Sequence, residues 1–237
     1  MTNIENAIKI EEQYIQYRLN GEEPFTLIDE IKKYGFNSLE EYFQEKNLYL
    51  LSTLDFNVVE KPMPEGMSEV FKMIETNQAG ILIVDYEDTI VLSGEEGLQT
   101  FNEEYCKKNN ILVRPIQTGG GTIVGTKGDF SIGISIPSNL FSDTNFILYK
   151  MKDILQKYTS GTVSVNKNDI LINGNKVCGS AGYRVNDIIM IVFYFSFSDK
   201  SDLISKICTT NKIGKPIGFI NSMTREEFKQ EVAEWLL

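Results

Sequence analysis

The chain contains no histidine among its 237 residues. That absence removes Ser-His-Asp and Cys-His nucleophilic catalysis, histidine-ligated metals and HExxH chemistry together. Whatever chemistry occurs must use Lys, Asp, Glu, Cys, Tyr, Ser or backbone groups. Cysteine is scarce too: Cys106, Cys178 and Cys208 are widely spaced and odd in number. Neither a disulfide framework nor a zinc knuckle is indicated, and reduced thiols fit a cytoplasmic home. No apolar run reaches the roughly 18 residues of a membrane span, and MTNIENAIKIEEQ lacks a basic region followed by an apolar one, so neither a membrane nor a leader is expected.

What is present is the composition of a globular protein, 42% hydrophobic and 24% charged, long enough for one α/β domain or one domain with an appendage. The net charge of -10 is uneven. Residues 1–110 carry 22 acids and 9 bases, whereas residues 111–237 carry 11 acids and 14 bases. The acidic half argues against nucleic acid as a partner, and an anionic ligand belongs in the second half.

Residues 1–60 read as a helical extension. Ile8, Ile10, Tyr14, Ile15 and Leu19 fall near one helix face, GEEP interrupts at 21–24, and Ser38 with Glu41 forms a capping box opening SLEEYFQEKNLYLL. KPMPEG at 61–66 is the expected boundary, with a second domain beyond it. There SEVFKMIETNQ predicts a helix, AGILIVDY and TIVLSG strands, EEGLQTFNEEYCKKNN a helix of about four turns, and ILVRPI a strand. GGGTIVG and DFSIGISIP look like a hairpin pair, TNFILYKMKDILQKY a helix, and GTVSV, DILING, KVCGSAGYRV and DIIMIVFYFSF consecutive strands. NGN at 173–175 and VND at 185–187 make those late strands antiparallel. SDLISKICTT and TREEFKQEVAEWLL predict closing helices, the latter with a Thr224/Glu227 capping box. The fold class expected is α+β, a largely antiparallel or mixed sheet flanked by helices, with an N-terminal helical appendage.

Two motifs bear on chemistry. RPIQTGGGTIVGTKGD at 114–129 is not a Walker A loop, because Thr126 precedes Lys127 and no helix follows. It is not a Rossmann fingerprint either, since its glycines are contiguous and lead into a strand. Alone, the triplet fits a bulge or corner as well as a backbone anion nest. KNDILINGNKVCGSAGYR at 167–184 puts a lysine just past a tight turn, followed by Gly-Ser-Ala, which suits a bulky planar or acyl ligand held beneath a cation. Alone, that stretch fits a hairpin with a solvated lysine.

Together the two stretches resemble the biotin/lipoate protein ligase family, specifically the lipoate-protein ligase catalytic domain. Thr118-Gly119-Gly120-Gly121-Thr122-Ile123 resembles its [ST]-G-G-G-x-V motif, Asn168-Asp169-Ile170 its N-D-[ILV], and Lys176-Val177-Cys178-Gly179-Ser180-Ala181 its K-[IV]-x-G-S-A. ILIVDYEDTIVLSG resembles the family's upstream strand-turn-strand, and the resemblance covers residues 66–237. It implies a class II synthetase/biotin-ligase-like fold that activates lipoate or octanoate with ATP and Mg as an acyl-adenylate, then passes the acyl group to a lysine. The acceptor implied is a lipoyl-acceptor domain or a glycine-cleavage H-like protein. The resemblance casts Lys176 as the catalytic cation. Arg114, Thr118, Gly119, Gly120, Gly121 and Thr122, with Asn168, Asp169, Gly179, Ser180 and Ala181, become substrate or ATP contacts, and Asp169 the Mg ligand. The chain departs from the family pattern where arginines are usual, with Pro115, Ile116 and Gln117. It also has Gly125-Thr126 for the usual His-Asp, Glu95-Glu96 for a Gln/Asn, and the apolar IIMIVFYFSF for a later histidine-glycine strand. Two alternatives stand beside the ligase: an octanoyl or lipoyl transferase using Cys178 as nucleophile, and a non-catalytic acyl- or nucleotide-binding module. Cys178 and Lys176, two apart on a strand, share a face only if no intervening residue is bulged.

Overall fold

A computed structural model of the chain describes residues 2–63, 65–76, 78–94, 101–116, 121–141, 144–208 and 216–236. The chain divides into two compact units, residues 1–54 and 55–237.

The first unit holds helices α1 (Asn3–Leu19), α2 (Leu27–Ile31) and α3 (Leu39–Ser52). Thr2 and Glu5 form a reciprocal capping box at the start of α1. At α3, Ser38 Oγ accepts from the Glu41 backbone N–H (3.0 Å), while the Glu41 carboxylate accepts from the Asn37 backbone N–H (2.7 Å) instead of closing the box on Ser38. Ala7, Ile31, Phe36 and Tyr42 form the core. The Glu11 carboxylate, nearly buried, accepts from the Tyr42 hydroxyl and from Lys46 Nζ, both at 2.6 Å.

The second unit is built on two sheets. Its strands are β1 (Asn57–Pro62), β2 (Gly80–Asp85), β3 (Ile90–Ser93), β4 (Leu112–Pro115), β5 (Thr122–Gly125), β6 (Phe130–Pro137), β7 (Val163–Asn166), β8 (Asp169–Ile172), β9 (Asn175–Val185) and β10 (Ile188–Phe195). Its helices are α4 (Glu65–Thr76), α5 (Glu103–Lys108), α6 (Asn145–Tyr158), α7 (Ser201–Ile207) and α8 (Arg225–Leu236). Seven strands run β1-β2-β6-β10-β9-β8-β7, and a smaller sheet runs β4-β3-β5. The β1–β2 and β3–β4 pairs are parallel and the rest antiparallel, so the α+β class with a mixed sheet and flanking helices is borne out.

The late strands join through two-residue turns that need a left-handed first residue: Lys167 (φ 56), Asn173 (φ 51) and Asn186 (φ 52). Gly174 (φ 81) completes the Asn-Gly pair. One face of the large sheet carries α8 through Phe228, whose ring lies 4.7 Å from Phe195 and 5.9 Å from Phe130, centroid to centroid. The other face meets α4, where Met73, Leu82, Val84 and Met190 form a core with Val70 and Ile74 against it. The small sheet packs Val91 and Val124 on Cys106 of α5 and Ile204 and Ile207 of α7.

Three expectations change. Residues 57–60, expected in the helical extension, and 61–62, expected at the boundary, instead form an edge strand paired with Gly80–Asp85, since NVVEKP has no helical apolar period. GGGTIVG and DFSIGISIP are not a hairpin: β5 pairs with β3, and β6 with β2 and β10. Between them Gly128 (φ 97) and the buried Asp129 turn the chain from one sheet to the other. The helix expected over EEGLQTFNEEYCKKNN starts only at Glu103, where the Asn102 side chain accepts from the Tyr105 backbone N–H (3.0 Å); its first six residues lie outside the described residues. Among the described residues no helix is long and apolar enough to cross a membrane.

Candidate active site

A cavity of about 380 Å³ lies where the large sheet, the small sheet and α4 meet. Its floor follows from the strand register. One row of laterally paired residues reads Val84–Ser131–Tyr194–Gly179–Asp169, and the next Leu82–Gly133–Val192–Ala181. Side chains alternate along each strand, so both rows face one side, and every member lines the cavity. Met67 and Val70 of α4 and Leu92, Pro115, Ile116 and Ile123 beside the small sheet complete the mostly apolar walls.

Polar groups gather at one end. Lys167 and Asn168 occupy the β7–β8 turn, and Lys176 Nζ lies 2.8 Å from Asp169 Oδ1. Lys176 faces the cavity because of an irregularity. Leu171 pairs with Lys176 but Ile170 pairs with Cys178, so Val177 is an extra residue in β9, a β-bulge. The bulge puts Lys176 on the face of Gly179 and Ala181. A Cβ on Gly179 would stand 3.0 Å from Lys176 Nζ, so the glycine is what lets the ammonium lie across the strand. The Asn168 carbonyl accepts from the Ser180 backbone N–H (2.7 Å) and hydroxyl (2.9 Å), fixing the turn against β9.

Cys178, next to Gly179, alternates to the opposite, helix-covered face, in the row Phe130–Phe195–Cys178–Ile170, and the bulge parts it from Lys176. It is buried, and that burial pushes its thiol well above the ordinary range. A nucleophilic thiolate needs the reverse.

Of the residues singled out from sequence, Gly121, Thr122, Asn168, Asp169, Lys176, Gly179, Ser180 and Ala181 all line this cavity. Thr118, Gly119 and Gly120 lie outside the described residues. Arg114 is exposed on β4 and does not line the cavity, whereas the following Pro115 and Ile116 do.

Sequence reading did not pick out Lys167, Tyr86, Ser131, Gly133 or Tyr194, nor a buried ion pair behind the wall. Asp129 is fully buried and Lys200 6% exposed, and they pair directly. Asp129 Oδ2 also accepts from the Tyr194 hydroxyl (2.7 Å) and from the Thr126 N–H and hydroxyl (both 2.9 Å). Its Oδ1 accepts from the Phe197 N–H (2.8 Å) and the Ser198 hydroxyl (3.2 Å). Burial alone would raise the Asp129 carboxyl, but the Lys200 ammonium and these donors hold it below the usual range. Tyr194 thus ties the floor of the large sheet to the loop leaving the small one. Only the Gly-Asp at a strand start hinted at this.

The scaffold is an α+β domain whose cleft carries the Lys176–Asp169 pair and the Lys167–Asn168 turn at one end and an apolar length behind them. Comparison with known proteins gives that domain its family. The family described as "Lipoyl protein ligase A/B catalytic domain" matches residues 67–236, and the chain belongs to it. Lipoate--protein ligase 1 of Plasmodium falciparum (isolate 3D7) is 23% identical over 197 residues, 83% of this chain and 44% of the relative, so the chain spans under half of that protein's length. Among solved structures, T. acidophilum Ta0514 with bound lipoic acid is 14% identical at a TM-score of 0.62, covering 77% of this chain and 84% of that one. A lipoate-protein ligase A bound with ATP is 15% identical at a TM-score of 0.63, with the same coverages of 77% and 84%. A bi-partite lipoate protein ligase from Thermoplasma acidophilum, in a study of it and its E2 lipoyl domain, is 14% identical at a TM-score of 0.61, covering 77% and 82%. At these identities the structures show a shared fold.

Proposed function

We propose that this domain activates lipoate or a related medium-chain carboxylic acid with ATP as the acyl-adenylate and passes the acyl group to a lysine of a lipoyl-acceptor domain. The observation that carries the reading is Lys176 Nζ, held by Asp169 over Gly179 at the polar end of an apolar cavity. A carboxylic acid enters tail first, its apolar chain over Gly133 and Ala181 and its carboxylate at Lys176. The ammonium then lies where charge develops on the carboxyl and phosphate oxygens, an electrostatic contribution worth about 10²–10³ in rate when one such donor is removed. A fixed charge of this kind needs no histidine.

Asp169 is the one acidic side chain among the described residues lining the cavity. Mg²⁺ is usually held by one or two carboxylates together with substrate phosphates, so this donor fits. Asp169 would hold the ion beside the nucleotide, and the ion would neutralise phosphate charge there. The proposal of a lipoyl acceptor is supported by the similar fold of a lipoate protein ligase studied with its E2 lipoyl domain.

The position of Cys178, buried on the opposite sheet face, speaks against the thiol-transferase alternative. The place of Arg114 outside the cavity favours one further reading, a module that binds the acid without adenylating it. Pyrophosphate release on mixing with MgATP and lipoate or octanoate decides between them. The ligase predicts release that Lys176→Ala lowers about 10²-fold or more, while Cys178→Ala leaves it within a few-fold. Release unaffected by Lys176→Ala would refute the assignment of that residue, and acid binding without release would leave the module.

A further inference from the structure

We infer that Gly133 sets the length and width of acid the cavity accepts. The inference rests on reading the cavity as an acyl site and adds which acids fit it. Gly133 lies on the cavity-facing row of β6, between Leu82 of β2 and Val192 of β10, and Ala181 ends that row. Gly133 leaves a notch in its row between the branched Leu82 and Val192. From Gly179, beneath Lys176, the notch at Gly133 is two strand spacings across and two residues along, roughly 12 Å in all. That is close to the span of an extended eight-carbon acyl chain with its carboxylate on the ammonium. The last carbons of octanoate, or the five-membered disulfide ring of lipoate, then rest on Gly133.

Gly133 itself lines the cavity. A Cβ at 133 would meet Leu82 Cβ at 3.6 Å and Met190 Sδ at 3.8 Å, ordinary van der Waals contacts. An alanine methyl is therefore tolerated by its neighbours, and the β-branched valine suits a strand backbone. What it displaces is the distal end of the acid. Each methylene that loses its burial weakens binding about fourfold.

The test titrates hexanoate, octanoate and lipoate into the full chain by calorimetry, for wild type, Gly133→Ala and Gly133→Val, with thermal melts recorded alongside. Wild type is expected to favour octanoate and lipoate over hexanoate. Gly133→Val should reduce the octanoate-to-hexanoate and lipoate-to-hexanoate affinity ratios at least tenfold, and Gly133→Ala about fourfold. The alanine variant keeps the test readable should the valine variant not fold. A wild type that binds the series while both ratios stay unchanged in the folded variants overturns the role of Gly133 alone. A wild type that binds none of the three acids overturns the acyl-site reading and this inference with it.

Discussion

At the scale of single residues, Gly179 carries a sharper expectation than its lack of a side chain suggests. Its missing Cβ is the space that Lys176 Nζ uses, at 3.0 Å, a separation tighter than ordinary contact. Gly179→Ala should push the ammonium aside by a few tenths of an ångström while the strand stays paired with Asp169 and Tyr194. Misplacement of a reacting group by about 1 Å can cost 10²-fold. A drop of about tenfold in kcat for pyrophosphate release, with KM for the acid and the melting temperature little changed, is therefore expected. An unchanged kcat would mean that the ammonium does not act from this position. The glycine and the lysine were legible in the sequence as a motif, but their shared face was not. Parity along β9 puts Lys176 with Cys178, and only the bulge at Val177, a consequence of pairing with β8, reverses it.

At the scale of elements, what could be read in advance was local, and what could not was lateral. Asn173-Gly174 and Asn186-Asp187 announce hairpins because a two-residue turn needs positive φ, and the structure has both. The parting of β5 from β6 into different sheets has no local signal. It is held by Asp129, whose partners Tyr194 and Lys200 lie 65 and 71 residues further on. Asp129→Asn leaves a buried ammonium without its counter-charge, a change that typically costs roughly 3–5 kcal/mol. The wild type should also show a linked acid limb. The folded Asp129 carboxyl titrates below its unfolded value of about 3.9. Its contribution is then complete above about pH 4 and lost as pH falls through the depressed folded value. Denaturant titrations at pH 7 and pH 3 should show the asparagine variant less stable at pH 7 and the difference from wild type narrowing at pH 3. A difference independent of pH would mean that Asp129 does not act through its charge.

At the scale of the whole molecule, the question is which unit holds the ligand. Every described residue that lines the cavity falls between Met63 and Tyr194, inside the unit that begins at Asp55. The first unit has its own core, Ala7, Ile31, Phe36 and Tyr42, and its own network in which the buried Glu11 and Tyr42 meet the half-buried Lys46. It is also net negative: residues 1–54 hold 10 acids and 5 bases. With its own core, and with the described lining residues all in the other unit, the first unit should be dispensable for holding the acid. A chain of residues 55–237 is thus expected to bind octanoate and ATP within about threefold of the full chain, a difference of roughly 0.7 kcal/mol. Cutting at residue 60 or later instead removes half or more of β1, whose six residues pair with Gly80–Asp85, and exposes the edge of β2. That longer truncation should lower the melting temperature and promote aggregation, whereas the cut at 55 should not. Calorimetry and thermal melts on the two truncations separate the cases. A tenfold loss of acid affinity in a well-folded 55–237 chain would bring the helical unit into the site.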